Sequence, residues 1–230
     1  MKILIVSGFL GAGKTTFIKR LARNVDQRFA ILENEYGAAG IDGARLGQNR
    51  QGTQKNVWEM TEQCICCIGK KDFAASVLTI ANVVDPEYLI VEPTGVGSLA
   101  RIIENLRQIE YERIQLLSPV TIVDVYSYRH YMAEYPELYQ DQIRSADTII
   151  VSKTEACQAE EKQRIQKFLQ EINSQAKIIT DYASTMTRED YQSLLLGGRY
   201  EKEVQDTQSG EKMPETFSFE NIRMEAPETL

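Results

Sequence analysis

The feature that most restricts the fold of this chain is a glycine-rich segment close to its N-terminus, residues 8–16, which reads GFLGAGKTT. An apolar, β-rich run ends just before this segment, and an amphipathic helical pattern begins within it. The segment satisfies the phosphate-binding pattern G-x-x-x-x-G-K-[ST], which requires a strand on one side and a helix on the other. We therefore predict a P-loop in which Lys14 reaches the β- and γ-phosphates and Thr15 ligates Mg²⁺.

The rest of the chain alternates between apolar, β-rich runs and amphipathic helical stretches. Strands are predicted at 2–7, 29–33, 88–92, 120–124, 148–152 and 177–180, with a short one at 57–60. Helices are predicted at 14–24, 73–84, 99–109, 159–173 and 188–195. This alternation predicts an α/β fold of the P-loop NTPase type, a mainly parallel sheet with helices on both faces, whose ligands bind at the C-terminal edge of the strands.

Composition narrows the class of protein. The 230 residues are 43% hydrophobic, which suits one full domain, and the net charge of −7 without a basic cluster argues against a nucleic-acid partner. No apolar run is long enough to span a bilayer, and no signal peptide is recognisable, so a soluble, cytoplasmic protein without a membrane partner is expected. We assign residues 1–200 to the P-loop domain and 201–230 to a polar linker followed by an isolated strand near 217–224. That strand either joins the main sheet at its edge or begins a further domain.

The strand predicted at 88–92 ends in Glu92 and is followed by a turn that contains Gly95. A carboxylate in this position can hold a Mg²⁺-bound water or orient the attacking water, and the Gly95 N–H can reach the γ-phosphate. The alternative is a solvated acidic residue at a strand end. Glu33 and Glu35 follow the second strand and offer two more carboxylates at the same edge, either for water or for a metal, unless they belong to an acidic loop. Residues 37–55 beyond them are predicted to form a long loop.

Three of the four cysteines lie within four residues, at Cys64, Cys66 and Cys67. Thiolates favour soft or borderline ions such as Zn²⁺ and Co²⁺, and three of them leave a fourth position for Glu33, for water or for a ligand from a partner. Two alternatives remain: the thiols are buried and inert, or Cys64 and Cys67 form a redox pair. Cys157 belongs to no motif.

The segment Ser152-Lys153-Thr154-Glu155 ends a late strand, where P-loop GTPases read guanine with Asn-Lys-x-Asp. The carboxylate of Glu155 can accept hydrogen bonds from guanine, and Ser152 retains part of the hydrogen-bonding capacity of Asn. A solvated strand end is the alternative. His130, the single histidine, is expected on the surface of a helix.

In their order along the chain, these five segments (8–16, 33–37, 64–67, 92–95 and 152–155) resemble those of the CobW-type metallochaperone GTPases, relatives of the UreG and HypB nickel-insertion GTPases. The resemblance covers about residues 2–200. The sequence departs from the family pattern at Ala38, Gln63 and Glu155. The resemblance implies that phosphates and Mg²⁺ are bound by Gly8, Gly11, Ala12, Gly13, Lys14, Thr15 and Thr16. It also implies that Glu92 is the Walker B acid, that Cys64, Cys66 and Cys67 bind the transported metal, and that Ser152, Lys153 and Glu155 read guanine.

The function expected from the residues and the resemblance together is Mg²⁺-dependent GTP hydrolysis coupled to delivery of Zn²⁺ or Co²⁺. Lys14, Glu35 and Glu92 are the expected catalytic residues. The expected partners are GTP, the metal and a client metalloprotein or a cofactor pathway such as that of cobalamin, and we include a homodimer among the expectations. An ATPase of the same fold in corrinoid maturation and a non-catalytic, nucleotide-gated metal sensor are the alternatives.

Overall fold

The computed structural model describes residues 1–27, 29–33, 57–61, 70–93 and 95–203. Within them the strands form one sheet in the order β3-β2-β4-β1-β6-β7-β8, and β5 pairs with β1. The strands are β1 Lys2–Ser7, β2 Phe29–Glu33, β3 Val57–Thr61, β4 Tyr88–Glu92, β5 Gln115–Leu116, β6 Val120–Asp124, β7 Thr148–Ser152 and β8 Lys177–Ile179. The helices are α1 Lys14–Asn24, α2 Lys70–Val83, α3 Leu99–Arg107, α4 Tyr128–Glu134, α5 Pro136–Arg144, α6 Ala159–Ile172, α7 Tyr182–Thr185 and α8 Arg188–Leu196.

Strand β1 shows why helices cover both faces of the sheet. Its four central residues, Ile3 to Val6, are all apolar, and successive side chains of a strand point to opposite faces. Leu4 and Val6 therefore pack in a core formed with α1 and α8, whereas Ile3 and Ile5 pack in a second core with α2 and α3. All the described strand pairings are parallel. The predicted parallel sheet with helices on both faces is confirmed.

Helices α4 and α5 are the main elements that the sequence pattern did not predict. They are only seven and nine residues long, and they meet at Tyr135, which ends α4 and begins α5. Pro136 occupies the first turn of α5, where its fixed φ and missing N–H are tolerated. Neither helix is long enough for its apolar periodicity to stand out from the tyrosine-rich sequence around it.

The register of the sheet brings the polar strand ends together at its C-terminal edge. Glu33 of β2 is aligned with Glu92 of β4, and Asp124 of β6 is aligned with Ser152 of β7. The glycine-rich segment follows β1, which lies between β4 and β6. The loop predicted at 37–55 and the strand predicted near 217–224 lie outside the described residues. Among the described helices, none has the length and apolar character needed to cross a membrane.

Candidate nucleotide-binding site

The segment between β1 and α1 has the backbone geometry of a phosphate-binding loop. Gly8, Gly11 and Gly13 have φ values of 143°, 69° and 99°. Gly13 is the N-cap of α1 in a left-handed conformation, which costs a residue with a side chain about 1 kcal/mol or more. The loop therefore directs the N-terminus of α1, with its positive dipole end, towards the edge where an anion would bind.

Lys14 folds back over this loop. Its Nζ donates to the carbonyl oxygens of Gly8 at 3.0 Å and Phe9 at 3.4 Å, and only 8% of the residue is exposed. A buried ammonium group keeps its charge only where oxygen atoms surround it. The carbonyls hold the ammonium group at the mouth of the loop, where phosphate oxygens would be its stronger partners.

Thr15 and Glu92 form the second part of the site. The Thr15 hydroxyl donates to Glu92 Oε1 at 3.1 Å and lies 3.4 Å from Oε2. Glu92 ends β4, beside β1, and is 8% exposed. A hydroxyl and a carboxylate are hard oxygen ligands of the kind that Mg²⁺ takes beside a phosphate, so the donor set fits this ion. Glu33 ends the adjacent strand β2, in register with Glu92.

The loop after β4 packs against the P-loop without room for a side chain at Gly95. A Cβ built there would lie 2.3 Å from the Leu10 nitrogen and 2.8 Å from the Phe9 carbonyl carbon. Gln142 of α5 supports this loop from behind, because its side-chain amide donates to the carbonyls of Gly95 at 3.3 Å and Gly97 at 2.9 Å. The close approach places Gly95 beside Phe9 and Leu10 of the P-loop.

Aromatic residues of α4 and α5 support the other side of the P-loop. The Phe9 ring lies 4.5 Å from Tyr131, 6.0 Å from Tyr135 and 5.2 Å from Tyr139 between centroids. The Tyr131 hydroxyl also donates to the Leu10 carbonyl at 3.1 Å. Such ring pairs add about 0.5–1.5 kcal/mol each beyond the apolar area that they bury. The two helices therefore stabilise one conformation of the loop.

Ser152 at the end of β7 turns towards the P-loop. Its hydroxyl is 2% exposed at the residue level and donates to the carbonyl of Ala12 at 2.6 Å, with the carbonyl of Val123 at 3.4 Å. The Ser152 hydroxyl therefore links the end of β7 to the P-loop. Glu155, three residues later, is exposed.

Lys153 has φ = 60°, a left-handed conformation that is rare for a long side chain. Its Nζ donates to Asp124 Oδ2 at 2.7 Å, and the Asp124 carboxylate also accepts from the Tyr126 N–H at 2.9 Å and the Ser127 hydroxyl at 2.8 Å. Burial of Asp124 opposes its ionisation, but the hydrogen bonds from Lys153, Tyr126 and Ser127 outweigh it and lower the pKa of this carboxyl below its usual value. Asp124 is thus a charged anchor for Lys153.

Asp181 lies close to the segment that follows β7, at the N-cap of α7 with φ = 57°. It accepts a hydrogen bond from Lys162 Nζ at 2.6 Å. The hydrogen bond from Lys162 lowers the pKa of this carboxyl, and desolvation opposes that shift. Lys162 therefore ties the turn after β8 to α6, the helix that follows β7.

The sequence did not identify Asp124, Thr154, Asp181 or Tyr131 as part of the site. The one available signal for Asp124 was its place at the end of a predicted strand, where Glu92 and Ser152 were recognised. Gly11 and Thr16 lie at the exposed side of the loop. His130 is exposed on α4, as expected.

The predicted metal site lies outside the part of the chain that the structure describes. Glu35, Cys64, Cys66 and Cys67 are not among the described residues, and for Glu33 the backbone alone is described. Within the described residues there is no cluster of three or more metal-ligating side chains. Cys157 has a half-buried, free thiol.

The chain is similar in sequence to curated proteins of known name. The zinc chaperone YeiR of Escherichia coli (strain K12) is 30% identical over 178 residues, which are 76% of this chain and 53% of that protein. The zinc chaperone CobW of Pseudomonas aeruginosa is 26% identical over 209 residues, which are 78% of this chain and 56% of that protein. The chain thus spans about half the length of the curated relatives that it matches.

Solved structures with the same fold include the Zn(II)-bound YjiA GTPase from E. coli, with a TM-score of 0.59 and 20% identity over 88% of this chain and 66% of that one. The hydrogenase maturation factor HypB from Archaeoglobus fulgidus has a TM-score of 0.60 and 16% identity over 85% of this chain and 89% of that one. At these identities the structures show the shared fold alone.

The sequence model described as CobW/HypB/UreG, nucleotide-binding domain, matches residues 2–180, which contain the P-loop, Glu92 and the segment after β7. The match covers most of the chain and agrees with the resemblance in the motifs and with the fold. The chain belongs to the CobW/HypB/UreG family of nucleotide-binding domains.

Proposed function

We propose that this chain is the nucleotide-binding module of a Mg²⁺-dependent GTP hydrolase whose nucleotide state controls the binding and delivery of a transition-metal ion. The observation that carries the proposal is the arrangement of Lys14, Thr15 and Glu92 around the glycine-rich loop. A lysine ammonium, a threonine hydroxyl and a strand-end carboxylate, side by side, are the parts that phosphoryl-transfer enzymes of this fold share.

At the phosphate end, the N–H groups of Gly11 to Thr16 and the Lys14 ammonium would bind the β- and γ-phosphates. Mg²⁺ would be held by Thr15 and Glu92, and it supplies charge neutralisation at the phosphate oxygens when bound. Gly95 packs against the P-loop, and we assign its N–H to the γ-phosphate. We assign Glu35 and Glu92 to orienting the attacking water.

At the base end, we propose that Glu155 accepts the guanine N–H groups and that the Lys153 stem lies against the base. Asp124 would hold the Lys153 ammonium in place. Ser152 then acts chiefly as a link to the P-loop, because its hydroxyl already donates to Ala12. Two features would weaken discrimination against adenine: the longer side chain of Glu155 and the engagement of the Ser152 hydroxyl with Ala12. The second candidate function is therefore ATP hydrolysis by the same fold.

We propose that the transported ion, Zn²⁺ or Co²⁺, is bound by Cys64, Cys66 and Cys67 with Glu33 as a further ligand. The type of ligand supports the proposal, since thiolates select such ions over Mg²⁺. The family supports it as well, because two of the relatives are named zinc chaperones and a HypB from Helicobacter pylori was solved with nickel. The γ-phosphate would order the segments that contain Glu33 and the cysteines, and hydrolysis would release them.

The receiving partner would be a client metalloprotein or a cofactor pathway such as that of cobalamin, in the cytoplasm, and the module would act as a homodimer. We further propose that residues 1–200 form the GTPase domain and that residues 201–230 form a linker and the first strand of a further domain. Nearly half the length of the curated relatives lies outside their match with this chain, which is consistent with that division.

The test is calorimetric titration of the chain with GTP and with ATP, each with and without Mg²⁺, followed by a measurement of phosphate release. GTP should bind in a Mg²⁺-dependent manner and more tightly than ATP, with slow turnover, because no arginine finger is placed in the motifs. Equal affinity for the two nucleotides would show that the guanine assignment is wrong, and tighter binding of ATP would replace GTP by ATP in the proposal. Mg²⁺-dependent GTP binding without turnover under any condition would indicate a nucleotide-gated sensor.

A further inference from the structure

A groove between α4 and α6 lies outside the residues assigned to the nucleotide site. It encloses about 500 Å³. Tyr128, Met132 and Phe168 form its apolar floor, and the Tyr128 and Phe168 rings lie 5.0 Å apart between centroids. The floor is part of the core beneath, since Tyr128 is buried there and Met132 and Phe168 pack against it.

Three cations line the rim of this groove: Arg129 from α4, and Arg164 and Lys167 from α6. Glu171 is the single carboxylate among the lining residues. On α6 the spacing of residues 164, 167, 168 and 171 places them on one helical face, so the cations and the Phe168 ring are presented together. The local charge is positive on a chain whose net charge is −7.

The contacts that Arg129 makes within the fold are to a tyrosine and not to a carboxylate. The Arg129 guanidinium stacks on the Tyr128 ring at 5.5 Å and donates from Nε to its hydroxyl at 3.0 Å. Within the described residues, no carboxylate lies within ion-pairing distance of Arg129, Arg164 or Lys167, although five other ion pairs are present there. Glu161 borders a smaller pocket of about 180 Å³ that shares Arg129 and Arg164, and it forms no ion pair with either of them.

We propose that this groove, lined by Tyr128, Arg129, Met132, Arg164, Lys167 and Phe168, binds an acidic segment of a partner protein that inserts an aromatic or aliphatic side chain. Charge complementarity selects the occupant, because unpaired cations around an apolar floor match carboxylates that flank an apolar anchor. A nucleic acid fits less well, since the sequence has no cluster of Lys and Arg and its net charge is −7.

The groove also shares helix α4 with the nucleotide site. Arg129 and Met132 line the groove, whereas Tyr131 on the same helix contacts the P-loop at Leu10 and Phe9. The turn that leads into α4 is held by Asp124 through Tyr126 and Ser127. A segment docked in the groove would therefore touch the helix that supports the P-loop.

The test uses fluorescence anisotropy with three labelled peptides and the full chain without nucleotide, so that the result does not depend on the proposed GTP binding. The first peptide is Glu-Asp-Phe-Glu-Glu-Leu-Asp-Glu, the second has Gly in place of Phe and Leu, and the third has Lys in place of every acidic residue. The first should bind, and the other two should bind at least about tenfold more weakly, because each lacks one of the two complementary features.

The variant is Arg164→Glu with Lys167→Glu, two exposed positions on α6. Its control is Arg23→Glu with Lys177→Glu, which makes the same change of net charge at exposed positions elsewhere. The α6 variant should lose at least about tenfold in affinity for the first peptide while the control keeps parental affinity. Both should melt at the parental temperature, and hydrogen exchange in the parent should slow in α4 and α6 when the peptide is bound.

Several results would overturn the proposal: equal losses in the two double variants, parental affinity in the α6 variant, or equal binding of the peptide without Phe and Leu. Sedimentation velocity on the parent tests whether a second copy of the chain occupies the groove instead. Self-association that the α6 substitutions abolish, without binding of the first peptide, would assign the groove to a second copy of the chain and would also overturn it.

Discussion

The two ends of the nucleotide site are held in place in different ways. At the phosphate end, Lys14 and Thr15 follow the glycines directly in sequence, and the backbone angles of those glycines shape a loop that α4, α5 and the loop after β4 also support. At the base end, Lys153 is held by Asp124, which lies 29 residues earlier on the neighbouring strand. The phosphate end is thus specified by a local motif, whereas the base end depends on a tertiary ion pair.

The largest effect is expected from Lys14→Ala at the phosphate end. Without the ammonium, the loop loses the one charged donor directed at the phosphates, and nucleotide affinity should fall by about 100-fold or more. The fold should persist, because the side chain contacts loop carbonyls instead of filling the core. The measurement is a fluorescent-GDP titration with Lys177→Ala as the control, and parental affinity in the Lys14 variant would remove the P-loop assignment.

Gly95→Ala tests the packing that supports the same end. The added Cβ would lie 2.3 Å from the Leu10 nitrogen, so the P-loop or the loop after β4 must move. The free energy of unfolding should fall by about 1–3 kcal/mol, and nucleotide affinity should fall with it. Urea unfolding is the measurement. Gly198→Ala is the matched control, because a Cβ there meets no atom within 4 Å, and equal stability of the two variants would show that the loops yield freely.

Asp124→Asn tests the ion pair at the base end. Losing a charged acceptor of three hydrogen bonds should lower the free energy of unfolding at pH 7 by about 1.5–3 kcal/mol. The folded-state pKa of Asp124 lies below its usual value, so its stabilising contribution is complete above the unfolded pKa of about 3.9 and disappears as the pH falls through the folded pKa. The difference between parent and variant should therefore shrink below about pH 4.

Urea unfolding over a pH series measures this difference. Asp85→Asn is the control, because the ion pair between Asp85 and Arg113 is exposed and should contribute less than about 1 kcal/mol. A difference between parent and Asp124→Asn that persists unchanged at pH 3 would show that the charge of Asp124 is not what stabilises the base end.

The smallest effect is expected from Glu155→Asp. Glu155 is exposed, and its side chain is one methylene longer than the Asp of the usual guanine-reading segment. Shortening it should raise the ratio of GTP to ATP affinity by less than about tenfold, since a single repositioned contact is involved. Competition titrations with both nucleotides measure this ratio, and Glu160→Asp on α6 is the control. An unchanged ratio would mean that Glu155 does not read the base.

The same difference between the two ends explains what the sequence could predict. The strand, glycine-rich loop and helix of the P-loop, the strand that ends in Glu92 and the parallel type of the sheet were predictable, because each depends on a local pattern of apolar strands, glycines and strand-end polar residues. The pairing of Lys153 with Asp124 was not, since it depends on strand register, and the hydrogen bond from Ser152 to Ala12 joins residues 140 positions apart. Lys153 reads in sequence as part of a base-binding motif, and its left-handed backbone is visible only in the structure.

Helices α4 and α5 were missed for a related reason. Each is short, and Tyr135 separates them, so neither shows enough turns of apolar periodicity for a prediction. Their tyrosines read as ordinary surface or core residues, although Tyr131 contacts both Phe9 and Leu10. The groove between α4 and α6 could not be foreseen without them.

The account as a whole depends on coupling between the nucleotide and the metal, and the most direct measurement is Zn²⁺ affinity by competition with a chelating dye under reducing conditions. It is made with GDP and then with a non-hydrolysable GTP analogue. The analogue should tighten Zn²⁺ binding by about 5- to 150-fold, and Zn²⁺ should tighten binding of the analogue by the same factor. Serine at positions 64, 66 and 67 should abolish this coupling and leave Mg²⁺-dependent GTP binding nearly intact. Equal Zn²⁺ affinities in the two nucleotide states would contradict the account and leave a nucleotide-binding module whose cysteines have a structural or redox role.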